Sequence, residues 1–247
     1  MTIGFWGAGK MAQGILSAMP SGSKVLLSSI EENRNIEIAK KCSLVFLAVR
    51  PQDVSAVAAE VRPYMTKDHT IVSIVAGKTI AGLRKAFGTK PGIVRVMPNL
   101  ALRSLAGMCA ICPSPKANPK HVAEVEKILG AAGLTVMLKE RHFDAVTALS
   151  GSGPAYFAYM QEAMKEAGVK LGLKEDVAGL LAAQTMYGTA KFLRESGMDL
   201  RAFINGVCTK GGTTAAGMEK LSAPKFKAIV ADTLAAAAHR SSELSGA

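Results

Sequence analysis

The sequence predicts an α/β first half followed by an all-helical second half, and three observations support this division. In the first 140 residues, short apolar runs with strand character alternate with stretches of helical spacing. Runs such as Leu44–Val49 are continuously apolar, as expected of strands buried on both faces of a parallel sheet. Beyond about residue 140, Ala, Leu and Met recur at helical spacing alone. We therefore predict two domains, residues 1–140 and residues 141–247.

The elements of the first half follow one another in the order expected of βαβ units and a mostly parallel sheet. The predicted strands are Thr2–Trp6, Lys24–Ser28, Leu44–Val49, Thr70–Val75, Ile93–Met97, Met108–Cys112 and Leu134–Leu138. The predicted helices between them are Lys10–Met19, Asn35–Lys41, Pro51–Val61, Thr79–Phe87 and His121–Gly130. In the second half we predict long helices at Ala155–Gly168, Lys174–Glu195 and Lys225–Leu244. Helices with wide apolar faces must bury them, which indicates an oligomerisation domain.

Composition excludes several classes of protein. The chain has 247 residues, of which 49% are hydrophobic and 20% charged, so a packed core is expected rather than disorder. The net charge of +11 indicates an anionic partner. Lys and Arg are dispersed and aromatic residues make up only 5%, so we expect a phosphorylated cofactor rather than nucleic acid.

Metal binding and membrane insertion are not expected from the sequence. Cys109 and Cys112 form a single CxxC pair, but no second Cys or His pair lies at zinc-ligand spacing, so we expect inert thiols in a reducing compartment. The longest uncharged run, Ala145–Gln161, is shorter than the ~20 apolar residues that span a bilayer. The first residues lack the features of a signal peptide, and we therefore expect a cytoplasmic protein without a membrane anchor.

A glycine motif at the end of the first predicted strand indicates dinucleotide binding. Gly7, Gly9 and Ala12 form a GxGxxA pattern that follows a strand and opens a helix, which is the context this fingerprint requires. Gly7 makes the tight turn, Gly9 lets the backbone approach the pyrophosphate, and Ala12 allows close packing. The helix N-terminus offers free N–H groups to the phosphates.

The end of the second predicted strand bears on the choice between NAD and NADP. An acidic residue there would bind the ribose hydroxyls. Ser28 and Ser29 occupy this place and Arg34 lies nearby, a combination that suits a 2′-phosphate. The alternative is that the two serines only cap the following turn. We predict NADPH as the cofactor, with NADH as a second donor.

Four further small or polar segments are candidates for ligand contacts, two at the ends of predicted strands and two before predicted helical runs. Ala48–Pro51 and Val75–Gly77 lie at carboxyl ends of strands, where α/β proteins bind ligands, and leave room for the nicotinamide half of the cofactor. Ser150–Tyr156 and Cys208–Thr214 are small, polar segments whose N–H groups and hydroxyls would suit a substrate carboxylate. Taken alone, each of the last two segments is equally compatible with a structural turn. For the first two, a plain βα turn is the less favoured alternative.

Motifs of nucleophilic or metal-dependent hydrolysis are missing from the sequence, and no His/Asp pair suggests a general base. A hydride acceptor that is already a protonated imine would need little acid catalysis. It would need positioning and a dry pocket instead.

Five segments together resemble the pyrroline-5-carboxylate reductase family, over nearly the whole chain. They are Ile3–Gly9, Phe46–Gln52, Arg95–Asn99, Ser150–Tyr156 and Gly211–Thr214. The resemblance implies a Rossmann domain, then a helical domain that forms homodimers, which in this family often assemble into decamers. It also implies that NAD(P)H reduces L-1-pyrroline-5-carboxylate to L-proline, the last step of proline biosynthesis.

The resemblance also assigns residues to the two ligands. The implied cofactor residues are Gly7, Ala8, Gly9, Lys10, Met11, Ser28, Ser29, Asn35, Ala48, Val49, Arg50, Pro51, Val75, Ala76 and Gly77. The implied substrate residues are Thr209, Gly211, Gly212, Thr213 and Thr214. Of these, Thr214 is the catalytic candidate, because the matching threonine of the family lies beside the imine nitrogen.

The chain departs from the family pattern in ways that leave two alternatives open. Lys10 and Lys210 replace residues usual in the family, and the segment after Ser29 is short by about one βα unit. These departures motivate a non-catalytic, nucleotide-binding homologue as one alternative. The other is a related dehydrogenase of the same plan with a catalytic lysine, for which Lys165 and Lys170 are candidates.

Overall fold

The computed structural model describes residues 1–222 and 224–246. Contacts divide the chain into two units. The first unit comprises Met1–Pro154 together with the end of the chain from Ala235, and the second comprises Ala155–Leu234. The predicted division at residue 140 therefore differs from the contact-based one and stays a prediction. Among the described residues, no helix is both long and apolar enough to cross a membrane.

The strands and helices lie close to their predicted positions. The strands are β1 (Thr2–Trp6), β2 (Lys24–Ser28), β3 (Leu44–Leu47), β4 (Thr70–Ser73), β5 (Gly92–Met97), β6 (Gly107–Pro113) and β7 (Gly133–Met137). The helices are α1 (Lys10–Ala18), α2 (Asn35–Lys41), α3 (Val54–Val61), α4 (Ile80–Phe87), α5 (Pro119–Ala131), α6 (Phe143–Val146), α7 (Gly153–Lys170), α8 (Glu175–Ser196), α9 (Leu200–Val207), α10 (Thr213–Leu221) and α11 (Pro224–Gly246). Of these, α6 and α9 were not predicted from the sequence.

Within the described residues, the seven strands form one sheet in the order β2-β1-β3-β4-β5-β6-β7. The first five strands in this order are parallel, whereas β5 and β6 are antiparallel. The reason is the short connection between them, a 3₁₀ turn at Leu100–Ser104, which cannot make the long crossover that parallel strands need. The sheet confirms the predicted α/β class.

The edge of the sheet confirms the predicted shortening. Strand β2 is the outermost strand beside β1, and a short turn and the seven-residue helix α2 connect β2 to β3 along the chain. In the doubly wound order a further strand lies outside β2. The deletion of one βα unit therefore leaves β2 at the edge, directly beside the glycine motif.

Layers of apolar side chains cover both faces of the sheet, as the alternation of residues along a strand requires. On one face Phe5 stacks on Phe46, with ring centroids 4.8 Å apart. On the other face Trp6 stacks on Phe87, with ring centroids 5.7 Å apart. The continuous apolar run of β3 is fully buried because both of its faces are covered.

The second unit is helical and exposes many large apolar side chains. Phe157, Tyr159, Leu180 and Tyr187 on α7 and α8 are each more than 60% exposed. Surfaces of this kind on described helices agree with the predicted oligomerisation role, because contiguous apolar faces are normally covered by a partner.

An ion pair between a buried arginine and a half-buried glutamate anchors the chain after β7. Arg95 on β5 is 3% exposed and donates from Nη1 to Glu140 Oε1 over 3.0 Å. The same carboxylate oxygen accepts the N–H of Ile80, the first residue of α4, over 2.7 Å. The guanidinium also lies 4.7 Å from the centre of the Phe143 ring. Glu140 therefore connects a central strand, a helix N-terminus and the segment that follows the sheet.

A second buried network lies at the amino end of the sheet. His121 is 7% exposed, and its Nδ1 and Nε2 lie 2.8 Å from Thr70 Oγ1 and 3.3 Å from Ser43 Oγ. Burial, with a smaller contribution from the nearby His69, lowers the pKa of His121. Protonation is therefore less favourable in the folded state than in the unfolded chain.

Replacing Glu140 by Ala should leave the Arg95 guanidinium buried without its carboxylate. We expect a loss of about 3 kcal/mol in the free energy of unfolding, measured by urea denaturation. The control is Glu140→Gln, which keeps an oxygen acceptor for Ile80 and should lose clearly less. Equal stability of Glu140→Ala and the unmodified protein would contradict this role.

The buried His121 should make stability depend on pH. The lowered pKa means that the unfolded chain binds a proton near pH 6.5 before the folded state does, so stability is full above that pH and falls as the pH decreases below it. The free energy of unfolding of His121→Asn should change less between pH 8 and pH 5. The exposed His142→Asn serves as the control and should keep the pH dependence of the unmodified protein.

Candidate functional site

A cleft of about 640 Å³ opens at the carboxyl ends of β1, β2 and β3. Strands on both sides of β1 end here, which is the point where open α/β sheets bind ligands. Of the residues predicted to bind cofactor, those that line this cleft are Gly7, Ala8, Gly9, Ser28, Ser29, Asn35, Ala48, Val49 and Arg50. The described lining does not include Lys10, Met11, Pro51, Val75, Ala76 or Gly77.

The turn after β1 requires a glycine at position 7. Gly7 has a φ of +106°, and a Cβ there would lie 2.5 Å from the carbonyl oxygen of Ala48. The Gly7 N–H donates to the Ser28 carbonyl over 3.0 Å, and the Ala48 N–H donates to the Trp6 carbonyl over 2.8 Å. The turn thus joins the ends of all three strands that surround the cleft.

The N-terminus of α1 is open toward the cleft. Gly9 precedes the helix in an extended conformation, and a Cβ on it would meet no described atom within 4 Å. Among the described residues, no side chain caps this helix and no acidic residue lies in its first turn. Free N–H groups with the positive end of the helix dipole suit a pyrophosphate. The residues present therefore fit a bound dinucleotide.

Ser28, the last residue of β2, and Ser29 line the cleft, but their hydroxyls already accept hydrogen bonds from the following turn. Ser28 Oγ accepts the N–H of Arg34 over 3.0 Å, and Ser29 Oγ accepts the N–H of Glu32 over 3.1 Å. The Arg34 guanidinium donates to Glu37 Oε2 over 2.8 Å. Hydrogen bonds from Arg34 and Lys41 lower the pKa of Glu37 to about 2. The structure therefore shows the turn-capping alternative, and the role of the two serines in cofactor binding stays a prediction.

Sequence reasoning missed Glu31, which lines the cleft beside the two serines. A hydrogen bond from the Ser29 side chain lowers the pKa of Glu31. The available signal was an acidic residue about 20 positions beyond the glycine motif, where dinucleotide folds place a ribose ligand. Our prediction considered only the last residues of the strand itself, and Glu31 lies three positions past Ser28.

The segment after β4 lies at a different cleft. Val75 is buried in the core, and Gly77 lines a cleft of about 470 Å³ between α3 and α4. Gly77 also has a φ of +72°, and a Cβ there would lie 3.0 Å from the Cβ of Leu244 in the last helix. The assignment of Val75–Gly77 to the nicotinamide stays a prediction.

The predicted substrate segment forms the entrance to α10. Gly211 has a φ of +74°, and the Gly212 N–H donates to the Thr209 carbonyl over 3.0 Å. Gly212 directly precedes the helix, whose first turn contains Thr213 and Thr214. In the described structure, no side chain caps this helix and its first turn carries no acidic residue. This N-terminus can receive a carboxylate through backbone N–H groups.

The conspicuous segment from Ser150 to Tyr156 is helical rather than an open loop. Thr147–Gly151 forms a π-helical turn that leads into α7 at Gly153. Ser150 Oγ accepts from Asn99 Nδ2 over 3.4 Å. Within the first unit, this turn therefore contacts the segment that follows β5.

The cysteines of the CxxC pair are buried on β6. Burial raises the pKa of Cys109 to about 12 and also raises the pKa of Cys112. The protonated thiol is a poor metal ligand and a poor nucleophile. Among the described residues, no group of three His, Cys, Asp or Glu side chains is placed to hold a metal ion.

The fold and the cleft fit a dinucleotide-binding α/β protein with an added helical unit. Comparison with known families supports this class. The model for pyrroline-5-carboxylate reductase dimerisation matches residues 140–244, and a model described as NADP oxidoreductase, coenzyme F420-dependent, matches residues 20–77.

Full-length relatives identify the family. The chain is 33% identical to pyrroline-5-carboxylate reductase 3 of Rattus norvegicus, with 98% of this chain and 96% of the relative covered. It is 31% identical to pyrroline-5-carboxylate reductase 2 of Bacillus subtilis (strain 168), with 98% and 94% covered. The chain belongs to the pyrroline-5-carboxylate reductase family.

Solved structures agree with this assignment. A pyrroline-5-carboxylate reductase from Coxiella burnetii matches with a TM-score of 0.90 and 28% identity, covering 98% of each chain. A Plasmodium falciparum pyrroline carboxylate reductase with NADP bound matches with a TM-score of 0.85 and 28% identity, covering 99% of this chain and 98% of the other.

Replacing Gly9 by Ala should separate cofactor binding from folding. Because a Cβ at Gly9 meets open space and the backbone is extended, we expect a free energy of unfolding within about 0.5 kcal/mol of the unmodified protein. The added methyl lies where a pyrophosphate would approach, so affinity for NADPH should fall about tenfold or more, measured by fluorescence titration. The matched variant is Gly7→Ala, which should instead destabilise the fold. The positive φ of Gly7 is unfavourable for alanine, and the added Cβ would clash with the Ala48 carbonyl.

Proposed function

We propose that this protein reduces L-1-pyrroline-5-carboxylate to L-proline with NADPH as hydride donor and NADH as a second donor. The observation that carries the proposal is the presence of two open helix N-termini of the required kind. One is at α1 beside the dinucleotide cleft, and the other is at α10 in the segment that family members share. Membership of the family supplies the substrate class.

The chain's own residues would bind and orient both ligands. Bound NADPH supplies a hydride for the imine carbon. The turn from Gly7 to Gly9 and the α1 N-terminus would hold the pyrophosphate through backbone N–H groups. Arg50 lines the same cleft, with its guanidinium paired to Asp53 over 2.8 Å. We place the substrate carboxylate at the backbone of Gly211–Thr213.

Thr214 is the proposed catalytic residue. Its side chain is half-buried in the first turn of α10, one residue beyond the proposed carboxylate site. A hydroxyl can donate to and accept from the same neighbour, so Thr214 can hold the proton at the imine nitrogen as that nitrogen becomes an amine. Thr209, whose carbonyl accepts from Gly212, would help to shape the same turn.

The alternative with a catalytic lysine finds less support. Lys165 donates to Glu175 over 2.9 Å, and this pairing raises the pKa of Lys165. A lysine that acts as a proton donor or acceptor near neutral pH needs a lowered pKa. Lys10, at the first position of α1, is exposed, which is compatible with cofactor binding and does not by itself favour a non-catalytic homologue.

The oligomeric state and location belong to the same proposal. The dimerisation family model and the exposed apolar faces of α7 and α8 support a homodimer through the helical half, and we propose further assembly to a decamer. We also propose that residues 1–140 bind cofactor and residues 141–247 dimerise and bind substrate. A cytoplasmic location and the lack of nucleic-acid binding stay predictions.

The direct test is an assay with pyrroline-5-carboxylate and either NADPH or NADH. Loss of reduced-nicotinamide absorbance with formation of proline would establish the reaction. A folded oligomer that binds nucleotide yet turns over with neither donor would contradict it and favour the non-catalytic homologue.

Replacing Thr214 by Ala should lower kcat about 10²-fold while leaving the affinity for NADPH within about twofold. The reason is that the hydroxyl is assigned to the substrate and not to the dinucleotide cleft. Steady-state kinetics and a binding titration on the same preparation measure the two effects. Lys220→Ala, at the exposed far end of α10, is the control and should change neither. Equal losses of turnover and NADPH affinity would show that Thr214 supports the fold instead.

A further inference from the structure

We propose that Glu31 is a specificity-determining residue of the adenosine ribose subsite. Its carboxylate opposes the 2′-phosphate of NADPH and favours the free 2′,3′-diol of NADH, so that the protein discriminates weakly between the two donors. The inference rests on the proposed reduction and concerns the donor that it uses.

The position of Glu31 places it at the ribose. It lines the cleft together with Ser28 and Ser29, at the carboxyl end of the strand beside β1. With the pyrophosphate at the α1 N-terminus, the adenosine ribose lies toward the end of this neighbouring strand. Carboxylates at this point bind ribose hydroxyls in NAD-dependent proteins.

The short turn after β2 holds Glu31 in place. The Ser29 N–H donates to the Glu32 carbonyl over 3.0 Å, and the Glu32 N–H donates to Ser29 Oγ over 3.1 Å. These two bonds close a tight turn with Ile30 and Glu31 at its tip. The Arg34 N–H donates to Ser28 Oγ and so ties the end of this segment back to β2. This short turn therefore brings an acidic residue to the cleft. The hydrogen bond from Ser29 lowers the pKa of Glu31, which keeps it ionised at neutral pH.

The side chains of the turn after β2 that could attract a 2′-phosphate are already paired. The Arg34 guanidinium lies 2.8 Å from a Glu37 oxygen and 3.8 Å from a Glu32 oxygen. The amide nitrogens of Asn33 and Asn35 donate to Glu60 Oε2 over 3.3 and 2.8 Å.

The charged side chains that line the cleft also disfavour a 2′-phosphate. Arg50, which is bonded to Asp53, is the cation among the described lining residues, and Glu31 adds a second carboxylate. Two carboxylates against one guanidinium leave the lining with a negative balance. A phosphate entering there would meet repulsion that a diol would not.

The test compares binding of two adenosine nucleotides that need no substrate. Affinities for adenosine 2′,5′-bisphosphate and for 5′-AMP are measured by isothermal titration calorimetry at low ionic strength. In Glu31→Gln, the bisphosphate should bind about five- to tenfold more tightly and AMP should bind equally or more weakly. The gain should shrink as salt increases, because the charge is exposed to solvent. Asp68→Asn, an equal charge change in an exposed turn before β4, should leave both affinities unchanged.

Kinetics give the second measurement. The ratio of kcat/KM for NADPH to that for NADH should rise about five- to tenfold in Glu31→Gln. Unchanged affinities and an unchanged ratio in a variant that melts like the unmodified protein would overturn the inference. A shift in nucleotide affinity without any reduction of pyrroline-5-carboxylate would overturn the proposed function and leave the role of Glu31 intact.

Discussion

The close approach of Gly7 to the carbonyl of Ala48 is the constraint on which the cofactor cleft depends. It holds the ends of β1 and β3 in contact at the point where the chain turns into α1. The helix N-terminus can face the cleft because no side chain separates these two backbones. The same turn bonds to Ser28, so β2 ends at the same level. The turn at Gly7 thereby aligns the ends of three strands and the N-terminus of α1 around the cleft.

The architecture of the first half could be predicted from the sequence because burial on both faces of a parallel sheet leaves a strong apolar signal. Leu44–Leu47 shows this most clearly. Strand direction was harder, since the antiparallel β6 follows from a connection too short for a crossover and not from the residues of β6 itself. Helix α9 was missed although Asp199 caps it by accepting the N–H groups of Arg201 and Ala202. That acidic residue was the available signal.

The candidate site was predictable to the extent that it is built from backbone. The glycine motif and the segment before α10 require glycine for reasons that are local to each turn, so both could be identified from the sequence. The contacts of charged side chains were harder to predict, because each such side chain can pair with several neighbours. Arg34 was expected to suit a phosphate but pairs with Glu37, and Glu31, which was not singled out from the sequence, lines the cleft. Only the folded arrangement decides between such partners.

The position of β2 also affects how the chain avoids aggregation. An outermost strand presents backbone N–H and C=O groups on which a strand of another molecule can pair. Here that strand has five residues and begins with the exposed Lys24. Shortness limits the number of intermolecular hydrogen bonds, and a lysine at the start disfavours a stacked copy. The loss of a βα unit therefore leaves protection against edge-to-edge association to one short strand and its first residue.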